Sequence, residues 1–183
     1  MQAEEILADY EIRKLGLNDK VKQFDCGDED INDFIINDAP LYRKTLLAMT
    51  YILEHKGTNR VVAYFSVAND RISIKDFPSN TDFNRFRKHK FVNEKRLKSY
   101  PAIKLCRLGI DKSIQGQHIG TFIIDFVSTL FITDNKSGCR FLTVDAYRNA
   151  IPFYLKNDFA FLSSEDEDQD TRLMYFDLSD LES

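Results

Sequence analysis

The sequence has few cysteines and no long hydrophobic run, and each shortage argues against a class of protein. The three cysteines, Cys26, Cys106 and Cys139, are an odd number without the spacing of metal ligands, so we expect reduced thiols and no metal site. No stretch is long enough to cross a bilayer, and residues 1–20 lack the apolar core of a signal sequence. We therefore expect a cytoplasmic protein that does not bind membranes.

Positive charge is also scarce, because 25 lysine and arginine residues face 29 acidic residues and the formal net charge is −4. This balance gives no general argument for nucleic-acid binding, although it does not exclude a local basic face. Of the 183 residues, 43% are hydrophobic and 30% are charged. Such a composition is typical of a globular protein, and the length predicts one domain, residues 1–183, with a sizeable core.

An apolar run, a glycine-containing turn and an amphipathic helix follow one another between residues 105 and 130. The apolar positions of the run, Leu105, Leu108 and Ile110, end at Asp111, which suits a buried strand. Beyond the turn, six apolar residues recur at helical spacing: Ile119, Phe122, Ile123, Phe126, Val127 and Leu130. The unpaired N–H groups at the start of such a helix, together with its dipole, favour a phosphate group.

The rest of the chain alternates short β-rich and helical segments. Asp28 suits the N-cap of a helix over 28–38, and Pro40 predicts a break before a second piece over 40–45. A further helix begins near Pro152. Loops are expected over 134–138 and over the acidic residues 164–170, which we interpret as solvated. Strands are predicted over 10–17, 46–55, 60–68, 139–146, 159–162 and 171–178, the second and third of them as a hairpin.

Residues 78–100 form a basic insertion with three interleaved aromatic residues, Phe83, Phe86 and Phe91. A basic face with aromatic side chains could hold the phosphates and bases of RNA. The alternative, which we favour, is a solvated and mobile segment whose charge is balanced elsewhere. The basic residues are Arg85, Arg87, Lys88, His89, Lys90, Lys95, Arg96 and Lys98.

The residue order from Arg107 to Asp111, followed by 115–120, resembles the acetyl-CoA motif of the GNAT N-acetyltransferase superfamily. That motif reads Gln or Arg, two variable positions, Gly, one variable position, then Gly or Ala. Gln115 and Gly120 match its ends, whereas His118 stands where the family usually has its first Gly. A residue other than Gly can still donate its N–H there if its φ is negative, as at a helix start.

A second stretch resembles another GNAT signature, which reads Asn-Ala, two residues, Phe-Tyr, a helix end and Gly-Phe. Asn149, Phe153, Tyr154 and Phe159 match it, and Asp158 stands where Gly is common. The two signatures cover roughly residues 102–162 in the expected order, with a strand between them. Their joint match is more specific than either motif alone.

The phrase Phe24-Asp25-Cys26-Gly27 before a helix resembles the N-terminal region of one GNAT branch. That branch includes toxins that acetylate the amino group of aminoacyl-tRNA. No basic neighbour in the sequence would lower the pKa of Cys26, so we interpret it as a small buried residue rather than a nucleophile.

The resemblance implies an α/β (α+β) fold, with a mixed central sheet, splayed central strands and flanking helices. It also implies that the backbone of Leu108, Gly109 and Ile110 pairs with the pantetheine amides of acetyl-CoA. Asn149 and Phe153 then belong to the cofactor site, with Asn149 near the thiol end. The pyrophosphate is held by the N–H groups of Gln115, Gly116, Gln117, His118, Ile119, Gly120 and Thr121.

The chemistry that the resemblance implies is direct attack of an amine on the thioester carbonyl. By family analogy the N–H of Ile110 polarises that carbonyl, and Tyr154, near the sulfur, protonates the departing thiolate. Asp111, Glu54 and Asp145 are candidate bases by location only. An amine of modest pKa could lose its proton through water, whereas a lysine side chain, with a free pKa of about 10.4, would need more help.

We therefore predict an acetyl-CoA-dependent N-acetyltransferase, with aminoacyl-tRNA as one candidate acceptor. A small molecule or a protein N-terminal amine is another candidate acceptor. The alternative from a different class is a non-catalytic acyl-CoA-binding or interaction module. A homodimer is left open.

Overall fold

A computed structural model of the chain describes residues 8–133 and 137–181. Seven strands and five α-helices are present in this part of the chain. The strands are β1 (Tyr10–Lys14), β2 (Met49–His55), β3 (Val61–Ser73), β4 (Ser99–Ile110), β5 (Phe141–Tyr147), β6 (Ala160–Phe161) and β7 (Thr171–Asp177). The helices are α1 (Glu29–Asp33), α2 (Ala39–Lys44), α3 (Asn80–Lys90), α4 (Ile119–Thr133) and α5 (Ile151–Lys156).

The strands form one mixed seven-stranded sheet in the order β1-β2-β3-β4-β5-β7-β6. β2 and β3 form the predicted antiparallel hairpin, and β5, β7 and β6 are also antiparallel neighbours. β4 and β5 are parallel and pair over three residues only, Ala102–Lys104 with Phe141–Thr143. A mixed α/β sheet with flanking helices confirms the expected fold class. The short central pairing agrees with the predicted splay, which stays a prediction.

The chain divides into two compact units, described separately below. Unit 1 comprises residues 1–68 and 105–127, and unit 2 comprises residues 69–104 and 128–183. None of the helices in the ranges given above is long and apolar enough to cross a membrane. The loop predicted over 134–138 falls mainly on residues 134–136, which lie outside the described residues.

In unit 1 the chain from Glu29 to Lys44 stays helical throughout, so the predicted break at Pro40 is wrong. A π-helical segment, Phe34–Asp38, joins α1 to α2, and the Ala39 N–H donates to the Phe34 carbonyl five residues back. Pro40 lies in the first turn of α2, directly after the π-helical segment, and the helix continues through it. The predicted N-cap is confirmed, because the Asp28 side chain accepts from the Ile31 N–H.

In unit 2 the basic segment forms a helix, α3, that packs its aromatic side chains into the core. Phe83 is only 1% exposed, and Phe91 stacks on Tyr100 with ring centroids 4.0 Å apart. Phe86 contacts Phe141 at 5.7 Å. The interpretation of this segment as a solvated insertion is therefore wrong: charged residues outnumber aliphatic ones here, but the aromatic residues supply the apolar contacts. The exposed basic side chains of the segment are Arg85, Lys88, His89, Lys95 and Lys98, whereas Arg87, Lys90 and Arg96 are half-buried.

A buried carboxylate, Asp177, ties three parts of unit 2 together. Its Oδ2 accepts from Lys90 Nζ at 2.8 Å and from Arg140 Nη2 at 3.1 Å, and its Oδ1 accepts from Ser179 Oγ at 2.9 Å. Arg140 Nε lies 2.7 Å from Oδ1 as an ion pair without hydrogen-bond geometry. Burial would raise the pKa of Asp177, but the hydrogen bonds from Lys90 and Arg140 outweigh it and the pKa is lowered.

Candidate active site

The end of β4 is held by the buried carboxylate of Asp111. Its Oδ1 accepts from the Ser113 hydroxyl at 2.6 Å and from Arg60 Nη2 at 2.9 Å, and its Oδ2 accepts from the Asp25 N–H at 3.2 Å. Burial would raise the pKa of Asp111, but the hydrogen bonds from Ser113 and Asp25 and the charge of Arg60 lower it. Asp111 is therefore an ionised structural anchor and unsuited to act as a base.

The Phe-Asp-Cys-Gly segment is hydrogen-bonded to the turn that follows β4. The Lys112 N–H donates to the Asp25 carbonyl at 2.8 Å, and Lys112 Nζ lies 2.8 Å from Asp25 Oδ2. Gln115 Nε2 donates to the carbonyls of Cys26 at 2.9 Å and Ile110 at 2.8 Å. The Gln115 side chain thus holds the turn in shape, which leaves its backbone, not its amide, to contact a ligand.

Neither the contacts of Cys26 nor the pKa of its thiol is that of a nucleophile. Its N–H donates to Asn32 Oδ1 at 2.9 Å, and its Sγ lies 3.7 Å from the Asp28 carbonyl. Burial raises the pKa of the Cys26 thiol, so the protonated form dominates at neutral pH. Cys26 is half-buried rather than buried, and it packs against the hydrophobic core of unit 1.

The turn after Gln115 contains two residues in the left-handed region. Gly116 has a φ of +78°, and a Cβ placed there would have no neighbour within 4 Å, so its backbone angle rather than space requires glycine. The Phe122 N–H makes the first bond of α4, to the His118 carbonyl. The N–H groups of Ile119, Gly120 and Thr121 precede that bond and point out of the helix start. This is the donor set that a pyrophosphate needs.

His118 has a φ of +61°, so the expectation of a negative φ at this position is wrong. The backbone keeps the left-handed conformation that suits glycine, and histidine is one of the residues that tolerate it. Its side chain is exposed and has no packing role. The N–H at residue 118 is consequently oriented as glycine would orient it.

We expect His118→Gly to raise the free energy of unfolding by about 0.5–1 kcal/mol, because the left-handed strain is larger than the entropy that glycine adds to the unfolded chain. The affinity for acetyl-CoA should be retained or improved. Denaturant unfolding and calorimetric titration measure the two effects. His118→Ala, which keeps a Cβ, is the control and should show no gain. A stability loss in the glycine variant would contradict the strain argument.

Gly109 is packed against three side chains of unit 1. A Cβ at this position would lie 2.7 Å from Tyr64 Cε1, 2.9 Å from Ile31 Cγ2 and 3.1 Å from Phe24 Cε1. Tyr64 cannot move easily, because its hydroxyl donates to the Ile31 carbonyl at 2.7 Å. The structure therefore gives Gly109 a packing role in addition to the backbone role expected from the sequence.

We expect Gly109→Ala to lower the free energy of unfolding by about 1–3 kcal/mol, because the added methyl group overpacks this contact. Denaturant unfolding measures the loss. Gly138→Ala is the matched control, since a Cβ there meets nothing within 4 Å, and it should change stability by less than about 0.5 kcal/mol. An equal loss of stability in the two variants would show that the close packing at Gly109 is not its cause.

The second signature lies in unit 2, where α5 carries Tyr154. The helix ends in a Schellman motif: the Phe159 N–H donates to the Tyr154 carbonyl at 3.1 Å and the Asp158 N–H to the Leu155 carbonyl at 3.3 Å. Asp158 has a φ of +62°, which explains why glycine is common at this place in the family pattern. Phe159 then packs edge-on against Tyr154 at 5.2 Å. The helix end thus fixes the Tyr154 ring.

Tyr154 is buried and its ring also contacts Phe153 at 5.1 Å. Burial raises the pKa of its phenol. Within the described residues no group hydrogen-bonds to its hydroxyl. Asn149 is exposed in the turn before α5. A neutral phenol without a protein partner can donate a proton to an incoming group.

The three carboxylates that were candidate bases are all ion-paired. Asp111 pairs with Arg60, Glu54 lies 2.7 Å from Arg13 Nε, and Asp145 lies 2.7 Å from Lys104 Nζ. None of them is placed to accept a proton without breaking an ion pair. Sequence reasoning also missed the Asp25–Lys112 contact. In the sequence, the one local feature that indicated this contact was the aspartate within the Phe-Asp-Cys-Gly segment.

The GNAT acetyltransferase domain family matches residues 87–178, half of the chain. The protein therefore belongs to the GNAT acetyltransferase family. It is an N-acetyltransferase whose acetyl donor is acetyl-CoA, and the acetyltransferase prediction is confirmed.

Several solved structures share the fold along nearly the whole chain. A tyrosine-to-phenylalanine variant of KacT is 23% identical, with 95% of this chain and 98% of that chain covered and a TM-score of 0.76. AtaT complexed with acetyl-methionyl-tRNAfMet is 23% identical, with 95% and 98% covered and a TM-score of 0.74. An AtaT variant bound to the C-terminus of the antitoxin AtaR and acetyl-CoA is 22% identical, with 95% and 96% covered and a TM-score of 0.72.

Proposed function

We propose that the protein transfers the acetyl group of acetyl-CoA to the α-amino group of an aminoacyl-tRNA. The observation that carries the proposal is that Asp111, Glu54 and Asp145 are all ion-paired, so none of these three carboxylates is free to deprotonate a strongly basic amine. An α-amino group, with a pKa of about 7.7–8.0, is at least half unprotonated at pH 8, whereas less than about 1% of a lysine amine, with a pKa of about 10.4, is unprotonated. The fold shared with AtaT, which was solved with acetyl-methionyl-tRNAfMet, supports the same acceptor.

In this proposal the donor is held by backbone groups. The N–H groups of the turn and helix start, from Gln115 to Thr121, bind the pyrophosphate, with Gly116 and His118 keeping the left-handed angles that orient them. The backbone of Leu108, Gly109 and Ile110 pairs with the pantetheine arm. Asn149 and Phe153 contact the arm, with Asn149 near its thiol end.

The transfer itself is a direct displacement. The amine nitrogen attacks the thioester carbonyl carbon while the Ile110 N–H stabilises the developing oxyanion. The C–S bond then breaks, the Tyr154 hydroxyl gives its proton to the departing thiolate, and the new amide nitrogen releases its proton to water. Because burial raises the pKa of Tyr154, the tyrosinate is readily reprotonated from solvent.

The proposal is tested by incubating the protein with labelled acetyl-CoA and single aminoacyl-tRNAs. Label should appear as N-acetyl amino acid after the ester is hydrolysed. Uncharged tRNA, free amino acids and a small-amine library are the controls. Label in the small amines but in no aminoacyl-tRNA would reject the proposed acceptor and favour a small-molecule acetyltransferase. Binding of acetyl-CoA with no turnover on any amine would favour a binding module. Sedimentation can test whether the protein forms a homodimer, which the sequence leaves open.

A further inference from the structure

A cavity of about 530 Å³ lies beside α3 in unit 2, and none of the residues assigned to acetyl transfer lines it. Its size is within the range of small-ligand sites. α3 and the segment Leu162–Ser164 supply much of its lining. None of the residues that match the two signatures lines the cavity.

One wall of the cavity is aromatic and rigid. Phe86 and Tyr175 meet edge-on with ring centroids 5.5 Å apart, and Phe77 contacts Phe86 at 5.2 Å. Pro78 and Leu162 extend the apolar surface. Both Phe86 and Tyr175 are half-buried, so part of each ring faces the opening. A wall of this kind suits a flat aromatic ring.

The rim carries basic side chains, two of which are exposed. Arg85 is 68% exposed, and its ion pair with Asp82 is a long 3.4 Å contact. His89 follows one helical turn later on the same face and is exposed. Lys90, by contrast, is held by Asp177 at 2.8 Å. Arg85 can therefore turn its guanidinium to an anion, for which a phosphate offers bidentate oxygens.

Small polar groups complete the lining. Ser163 Oγ accepts from the Glu165 N–H at 3.2 Å, which leaves its hydroxyl hydrogen available. Ser164 lies next to it, and Asp82 Oδ1 accepts only the long Arg85 contact. Such groups match the hydroxyls of a sugar and the polar edge of a base. A flat ring, a sugar and an anionic group together describe a nucleotide.

We propose that this cavity binds a nucleoside monophosphate unit, with the base against Phe86 and Tyr175 and the phosphate on Arg85 and His89. The unit is either a free nucleotide or an unpaired nucleotide of an RNA. The second source rests on the proposed function, whereas the first does not.

The binding is tested by titrating the full-length protein with adenosine 5′-monophosphate while coenzyme A saturates its own site. Adenosine and inorganic phosphate should each bind at least tenfold more weakly than the nucleotide. Arg85→Glu should weaken nucleotide binding at least tenfold, the loss expected for one charge-assisted hydrogen bond. Lys88→Glu makes the same charge change at an exposed position of α3 outside the cavity, and should change the affinity less than twofold.

Equal losses in the two variants, or no nucleotide binding at millimolar concentration, would overturn the proposal. Both residues are exposed, so a thermal melt should show both variants folded. In the aminoacyl-tRNA acetylation assay, Arg85→Glu should raise the KM for aminoacyl-tRNA at least fivefold at unchanged kcat if the bound nucleotide is part of the RNA. The variant should have no effect on this KM if the natural ligand is a free nucleotide. Acetylation of aminoacyl-tRNA without nucleotide binding would reject only the proposed nucleotide site. Nucleotide binding without acetylation of aminoacyl-tRNA would reject only the proposed acceptor.

Discussion

Replacing Tyr154 by phenylalanine should lower kcat for acetyl transfer at least a hundredfold and leave the Kd for acetyl-CoA within about twofold. In the proposed mechanism the variant loses the proton that the departing thiolate takes up, and general acid catalysis contributes about 10²–10⁴ in rate. It keeps the ring, which Phe153 and Phe159 hold edge-on at 5.1 and 5.2 Å. Stopped assays of acetylated product and titration with acetyl-CoA measure the two quantities.

The matched control is Tyr147→Phe, which removes a hydroxyl from an exposed tyrosine at the end of β5 and should leave kcat unchanged. Burial raises the pKa of Tyr154, so the wild-type rate should rise through pH 7–8 as the acceptor amine loses its proton, without a fall before pH 9. Full activity of Tyr154→Phe would remove the phenol from the mechanism. An equal loss in Tyr147→Phe would show that the effect is not specific.

Replacing Asp177 by asparagine should lower the free energy of unfolding by about 3–5 kcal/mol at pH 7, because it leaves Lys90 and Arg140 without their buried counter-charge. The carboxylate is 3% exposed and accepts hydrogen bonds from both cations and from Ser179. Denaturant unfolding followed by circular dichroism measures the loss. The control is Asp145→Asn, which makes the same change in an ion pair whose carboxylate is 50% exposed, and it should cost less than about 1 kcal/mol.

The difference between wild type and Asp177→Asn should depend on pH in one direction. The pKa of Asp177 in the folded protein lies below its ordinary value of 3.8, so its contribution is fully present above that value. It is lost as the pH falls through the lower folded pKa. The two unfolding curves should therefore stay apart from pH 5 to 8 and converge below about pH 4. A constant difference down to pH 2 would show that the cost comes from packing rather than charge.

The strand, turn and helix around residues 105–133 could be predicted because their periodicity is local. Ile119, Ile123 and Val127 repeat at helical spacing and are buried as expected. The same holds for the cap at Asp28, whose side chain accepts from a donor, the Ile31 N–H, only three residues away. Residues 102–162 carried the family resemblance for a related reason, since both signatures describe local backbone geometry at a helix end.

Other features depend on partners far apart in sequence and could not be predicted. The contacts of Asp25 and Lys112 join positions 87 residues apart, and no periodicity in the sequence predicts such a pair. α3 was misjudged because its buried residues are aromatic and surrounded by charge, so no aliphatic stripe marks its inner face. The φ of His118 could not be inferred either, because the glycine that would indicate a left-handed angle is replaced.

The tie between residues 25–27 and 111–115 has a consequence for how the molecule is made. Contacts between such distant positions form slowly, because the chain loses the entropy of loop closure before the contacts stabilise the fold. During synthesis the early strands and helices emerge first, and their partner segment arrives only after some eighty further residues. The bend after β4 is thus completed late, because residues 25–27 wait for residues 111–115 to be translated before the two segments can pair.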